Sequence, residues 1–330
     1  MQAMWVVRDV LSSKERIAAM VERAKRYGFT DLIVQVRGRG EAYYRSSIEP
    51  PAPRDPELDD PLRFLLDLLE GSGIRVHAWI NTLLTWSATG LPEGHVLARH
   101  PEWSMQSDEG KSALDELLAG TLDRSRTEGA YLCPSRPEVV DYLSRVYGEV
   151  AQNYPVDGIH LDYVRYPNSR YCHCPVCKKA AADWDDFAAY RRHAVTKLTE
   201  AIRDVCKKVR PDIVYSAAVF PDPDVAAQDK GQAWQEWTQH GLLDLVFPMA
   251  YFDSPQATFD AVVRVKQVSA VPVVAGLGAY RQSPDVMRQT LRMLAALDIA
   301  GVCHFSYNTF EKTPEYLGTI YGTDSRQAGA

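Results

Sequence analysis

Eight short apolar runs, each followed by a segment of helical spacing, leave this chain few ways to fold. Buried strands read as runs of β-branched and aliphatic residues, and amphipathic helices as apolar residues three and four apart. The runs begin with Trp5, Val6 and Val7 and continue at residues 31–36, 74–80, 156–162, 213–219, 242–249, 271–277 and 300–305. After the first, Ile17, Met20, Val21, Ala24 and Tyr27 recur at helical spacing and Gly28 stops the helix. Strand, helix, strand implies a parallel sheet. Repeated eight times, it predicts one α/β domain, a (β/α)8 TIM barrel over residues 1–322, with a loose tail at 323–330. A long helix is expected at about 183–209, and helix-start capping boxes at Ser12/Glu15 and Ser135/Glu138.

In such a barrel the residues that end the strands gather at one face. The fourth run is the most informative, because it closes on His160, Asp162, Tyr163, Arg165 and Tyr166. The plain alternative is a surface loop with an Asp162–Arg165 ion pair. The second run leads to Arg37 and Glu41, and the third delivers His77, Trp79 and Asn81. Later strand ends add Asp222, Asp224, Tyr251, Asp253, Tyr280, Ser306, Tyr307 and Asn308. Aromatic faces among hydrogen-bonding groups suit a sugar, which has apolar C–H faces and polar edges. Residues 82–135, after the third run, are too long for a plain connection and read as a substrate wall on the face of Asp162. In it His95 and His100 read as solvated loop histidines. Trp234 and Trp237, on a helix, read as packing residues.

Several blocks carry a family resemblance: Val156 to Pro167, Gln35 to Tyr44, Val76 to Asn81, Ser216 to Asp222 and Phe247 to Tyr251. In this order they resemble the motifs of the family-10-like glycosyl hydrolases. That resemblance implies a secreted or periplasmic enzyme acting on bacterial glycans, including peptidoglycan. A fainter likeness links Asp157 to Asp162, and Met249 to Tyr251, with family 18 chitinases. The position of the chitinase acid is Val164, which excludes a chitinase mechanism with its acid there.

Glycoside hydrolysis generally needs two carboxyl groups flanking the bond, one of them able to donate a proton. Asp162 is the first candidate. Glu41, Asp222, Asp224 and Asp253 compete for the second place, with Glu41 preferred because its glycine neighbours allow close approach of a ligand. With an N-acetylated substrate one acid can suffice, and Tyr251 or Asp162 would orient the acetamido group. Arg37, His77, Trp79, Asn81, His160, Arg165, Tyr166, Tyr251 and Tyr307 are the expected substrate contacts. A non-catalytic glycan-binding barrel is the competing class.

The formal charge of −6 argues against nucleic acid, and no stretch has the apolar length of a membrane span. The N-terminus shows no signal-peptide pattern, which leaves a cytosolic protein or a chain numbered after a removed segment. Six cysteines are present, three of them at Cys172, Cys174 and Cys177 beside His173. Such a cluster suits a structural zinc ion, although a closed zinc site usually draws on two separated pairs and no second pair is visible. The alternatives are free or paired thiols in a turn, or a metal-dependent hydrolase built on the cluster. Carboxylate hydrolysis itself requires no cofactor.

Overall fold

The computed structural model describes residues 1–322; the tail expected at 323–330 lies outside the described residues. Ten strands are formed among them: β1 (Gln2–Val6), β2 (Asp31–Arg37), β3 (Arg75–Asn81), β4 (Leu84–Trp86), β5 (Ala130–Tyr131), β6 (Gly158–Asp162), β7 (Val214–Val219), β8 (Leu245–Ala250), β9 (Val274–Gly278) and β10 (Gly301–Phe305). Eight close a parallel barrel in the order β1-β10-β9-β8-β7-β6-β3-β2, and β4 and β5 pair antiparallel in the excursion that follows β3. The expected TIM barrel is therefore the fold.

Strand residues alternate between two cores, because successive side chains point to opposite faces. Outward residues such as Met4, Leu32, Ile80 and Leu161 join the large layer between sheet and helices. Inward residues form a smaller core around Trp5, Ile33, Trp79, Phe247, Val274 and Cys303. On β3 the inward column runs His77, Trp79, Asn81; on β6, paired with it residue for residue, it runs Gly158, His160, Asp162. Alternation thus puts Asn81 and Asp162 side by side at the C-terminal mouth.

Helix starts depart from expectation in a consistent way. Ser13, not Ser12, accepts from the Arg16 N–H at the head of Lys14–Arg26, while the Ser12 hydroxyl donates to Asp9 O in the 3-10 turn before it. The helix Pro137–Asn153 has Arg136 at its cap and no capping side chain, since Pro137 presets the first helical residue. Ser135 is engaged elsewhere, by the Cys177 thiol. The long helix spans Phe187–Val209, with the Asp186 carboxylate accepting from Ala188 and Ala189. His95 is buried, not solvated: it accepts from Leu97 N and bonds Arg39 O at 2.8 Å. His100 stacks on Trp103. Trp234 and Trp237 are fully buried packing residues.

Candidate active site

A cleft of about 480 Å³ opens at the C-terminal mouth of the barrel. Its floor is a chain of hydrogen bonds between strand ends. Trp79 Nε1 donates to Asp162 Oδ2 and to Asn81 Oδ1, both at 3.1 Å. Asn81 Oδ1 also accepts from Gln35 Nε2 at 3.0 Å, and Asn81 Nδ2 donates to Gly38 O at 2.8 Å. Gln35 Oε1 in turn accepts from the backbone N–H of Arg8 at 3.3 Å. A Cβ on Gly38 would stand 2.3 Å from Arg8 Cδ, so glycine is what lets the Arg8 side chain lie across this loop.

Asp162 is nearly buried, with its second oxygen accepting the Tyr163 N–H at 2.7 Å. Tyr163 takes the left-handed backbone region at φ 50°, which costs a non-glycine residue energy and is characteristic of functional sites. Burial pushes the Asp162 carboxyl up to about 6, against the pull of Arg165 and the Tyr163 and Trp79 donors. It is thus poised to exchange a proton near neutral pH.

The second carboxylate in the cleft is Glu128, contributed by the excursion. Asp162 and Glu128 are the carboxylates lining it among the described residues. Burial pushes Glu128 up, but Arg165 and the Tyr131 hydroxyl outweigh it and hold the group below the usual range. Arg165 Nη2 donates to Glu128 Oε1 at 3.0 Å and Tyr131 Oη to Oε2 at 2.7 Å. The Arg165 guanidinium also lies over the Tyr163 ring, 4.7 Å from its centroid. The excursion is rooted beside β6 through Thr82 N to Asp162 O and Leu83 N to Tyr163 O. It covers the face of Asp162, as expected of a substrate wall.

The walls combine aromatic faces with cations. Trp5, Trp79, Tyr163, Tyr251 and Phe305 supply the first, and Arg8, Arg39, Arg124 and Arg165 the second. Burial and the neighbouring Asp162 charge keep the Tyr251 phenol protonated, so it can donate to a ligand oxygen.

Of the residues expected from sequence, Asp162, Tyr163, Trp79, Asn81, Arg165 and Tyr251 line this cleft. The others lie outside its lining. Glu41 is nearly buried, its carboxyl pushed up by burial and opposed by Arg8 and Arg39. Asp222 caps the helix Pro223–Gln228 and pairs with Arg264, and mostly exposed Asp253 pairs with Arg281. Arg37 is consumed by a fully buried ion pair with Glu49 at 2.7 Å. His77 lies at the opposite end of the barrel, 2.9 Å from Asp31. His160 sits one layer beneath Asp162, between Trp5 Nε1 and the Ser216 hydroxyl, and burial holds its imidazole neutral. Tyr166 is buried under Arg191, and Tyr307 packs beneath Arg23. Arg37, His77, His160, Tyr166 and Tyr307 are thus polar or aromatic groups spent on the packed interior, while Asp222 and Asp253 are spent on a helix cap and surface ion pairs.

Arg8 and Phe305 could have been found by the rule that found Asp162, since each stands at a strand end. Arg39 stands two residues beyond β2, as Arg8 does beyond β1, and falls under the same rule; Glu128 and Arg124 have no such signal. Cys172, Cys174 and Cys177 are buried away from the cleft lining and are joined by Cys133, a single distant residue where sequence reasoning looked for a second pair. His173 stacks on Phe187 instead of joining them.

The family model described as glycosyl hydrolase-like 10 matches residues 1–278. The chain is 26% identical to the glycosyl hydrolase DigH of Escherichia coli K12 over 272 residues, covering 74% of this chain and 60% of DigH. It is 22% identical to the glycosyl hydrolase YngK of Bacillus subtilis, across 96% of this chain and 67% of YngK. Among solved structures, the glycoside hydrolase domain of PgaB from Bordetella bronchiseptica superposes with a TM-score of 0.76 at 15% identity, over 99% of both chains. At that identity the likeness shows the fold. Among the described residues, no helix is long and apolar enough to cross a membrane.

Proposed function

Since the chain belongs to the glycosyl hydrolase-like 10 family, we propose that it is a glycoside hydrolase acting on a bacterial polysaccharide at the cleft around Asp162. The observation that carries this reading is the pairing of Asp162 with Glu128. Two carboxyls line one cleft and their surroundings shift them in opposite directions, Asp162 up and Glu128 down. That separation is how one site supplies both a proton donor and an anion at the same pH. Asp162, held up by burial, transfers the proton at the glycosidic oxygen; Glu128, kept ionised by Arg165, is the second carboxylate of the pair.

The walls suggest the substrate class. Aromatic faces accept the C–H surfaces of pyranose rings. Arg8, Arg39 and Arg124 face the same space, with Arg8 and Arg39 also acting on the buried Glu41 carboxyl behind it. They suit a glycan with acidic substituents, and the neutral Tyr251 hydroxyl suits an acetamido oxygen. An N-acetylated amino-sugar polymer such as peptidoglycan has both. The names of DigH and YngK support hydrolysis of glycosidic bonds, and a bacterial wall glycan implies work outside the cytoplasm.

The test is release of reducing ends from a panel of glycans, including peptidoglycan strands with and without stem peptides, followed by a pH profile. For kcat/KM on the best substrate, activity should fall as pH rises through about 6, where Asp162 gives up its proton. Glu128→Gln should lower kcat and move that limb to lower pH, because the Glu128 charge helps hold Asp162 up. Tight binding with no cleavage of any glycan would point to a non-catalytic binding barrel instead.

A further inference from the structure

Away from the cleft, the densest cluster of metal-ligating groups among the described residues consists of Cys133, Cys172, Cys174 and Cys177. All four are buried and all are free thiols. Their sulfur atoms lie within 4.8 Å of one another. Three of the separations are 3.3 Å (Cys133–Cys177), 3.6 Å (Cys174–Cys177) and 3.8 Å (Cys133–Cys174). A disulfide would require about 2.05 Å. A tetrahedral ion with metal–sulfur bonds of about 2.3 Å places its ligands about 3.8 Å apart along each edge. The observed edges match the tetrahedron and not the covalent bond.

The surroundings are those a thiolate set needs. The Gln106 N–H donates to Cys172 Sγ at 3.4 Å, and Ser135 Oγ is 3.3 Å from Cys177 Sγ, able to donate once that thiol is ionised. The Tyr166 hydroxyl is buried without a hydrogen-bond partner and interacts electrostatically with Cys133, Cys172 and Cys177. Arg191, 2% exposed, stacks over Tyr166 and interacts with Cys172 and Cys177. Four thiolates around a divalent ion carry a net charge of about −2, and donors and a buried cation of this kind are what such a charge requires.

We propose that Cys133, Cys172, Cys174 and Cys177 bind one zinc ion in a closed, structural tetrathiolate site. Three ligands come from the segment that follows β6: Cys172 from its loop, Cys174 from the cap of the short helix Pro175–Ala180 and Cys177 from within that helix. The fourth, Cys133, ends the excursion, two residues beyond β5. The ion ties together the two segments that hold Glu128 and Arg165, its nearest ligand in each segment lying a few residues after that segment's member of the ion pair. With all four positions taken by protein, it has no open site for substrate. It is a positioning device: the excursion has little regular structure, and the ion closes it against β6 where a disulfide would otherwise be needed.

The experiment is zinc analysis of the full chain purified from zinc-supplemented culture without a metal-binding tag. One zinc per chain is expected, released in step with titration of the four thiols by an organomercurial. Cobalt substituted for it should show the intense visible bands of a tetrahedral tetrathiolate. Cys133→Ser should lower zinc affinity by roughly tenfold or more and lower Tm, while Cys206→Ser, in a separate buried position, keeps the metal. Should Cys133→Ser fail to fold, the wild-type stoichiometry and the cobalt spectrum still decide. Metal-free wild type with freely titrating thiols, or an intact mass showing two disulfides among these cysteines, would overturn the proposal. None of these readouts depends on hydrolytic activity.

Discussion

Two aspartates are buried inside the same barrel, one at each end, and they are treated in opposite ways. Asp31, at the N-terminal end, accepts from Thr30 at 2.6 Å, from Arg75 Nε at 2.8 Å and Nη2 at 3.0 Å, and faces His77 at 2.9 Å. Burial pushes Asp31 up, but those partners outweigh it and its carboxyl sits below the usual range. Asp162, at the C-terminal end, has two hydrogen-bond donors, and burial wins, pushing it up to about 6. One end of the barrel satisfies its charge for stability; the other leaves a charge under-satisfied, the condition for proton transfer. Burial alone does not raise a carboxyl's pKa; burial with too few partners does.

The contrast makes separable predictions, largest first. Asp31→Asn removes the anion facing His77 and Arg75 and should cost about 2–4 kcal/mol of unfolding free energy, because His77 is left buried beside an amide. Turnover per folded molecule should stay within about threefold, since the site is remote from the cleft. A large loss of turnover at unchanged stability would erase the distinction between the two ends.

Asp162→Asn should move stability the other way. The folded pKa lies above the unfolded one, so ionisation weakens the fold as pH rises from about 4 to about 6, and the penalty is complete above that. An asparagine never pays it. The variant should therefore be more stable than wild type at pH 7 and above, by about 3 kcal/mol at most, with the advantage vanishing near pH 4. Denaturant midpoints at the two pH values check this, and equal stability at both would contradict the shift.

Trp79→Phe keeps an aromatic face and removes the N–H shared by Asp162 and Asn81. With one donor fewer, the Asp162 pKa should rise by up to about one unit, read as an upward move of the alkaline limb of kcat/KM. The smallest effects belong to Asp222→Asn and Asp253→Asn. Each breaks a half-exposed surface pair worth less than about 1 kcal/mol, and kcat should change less than about twofold.

These placements also show what a sequence can reveal. The barrel was legible because its strands are buried on both faces, so each reads as an apolar run whatever its neighbours. Asp162 was legible because it ends such a run. Arg37 and His160 end or interrupt similar runs, yet their partners Glu49 and Ser216 lie elsewhere in the chain, and nothing local reveals that their polarity is already satisfied. Glu128 belongs to an excursion without strand or helix periodicity, so only the closure of β4 on β5 brings it to the cleft. Cys133 is about forty residues from its companions and has no pair beside it. Residues whose role depends on a long-range contact were the ones missed.

The central claim is that the under-satisfied carboxyl at the C-terminal mouth performs the chemistry. The most direct test is kcat of Asp162→Asn on an established oligosaccharide, measured beside its affinity for the same ligand. Asparagine keeps the shape and the Tyr163 and Trp79 neighbours but can neither carry the charge nor exchange the proton. Turnover should fall by roughly a hundredfold or more, with affinity within about tenfold of wild type because aromatic and neutral contacts dominate the ground state. Hydrolysis by Asp162→Asn at the wild-type rate would contradict the account.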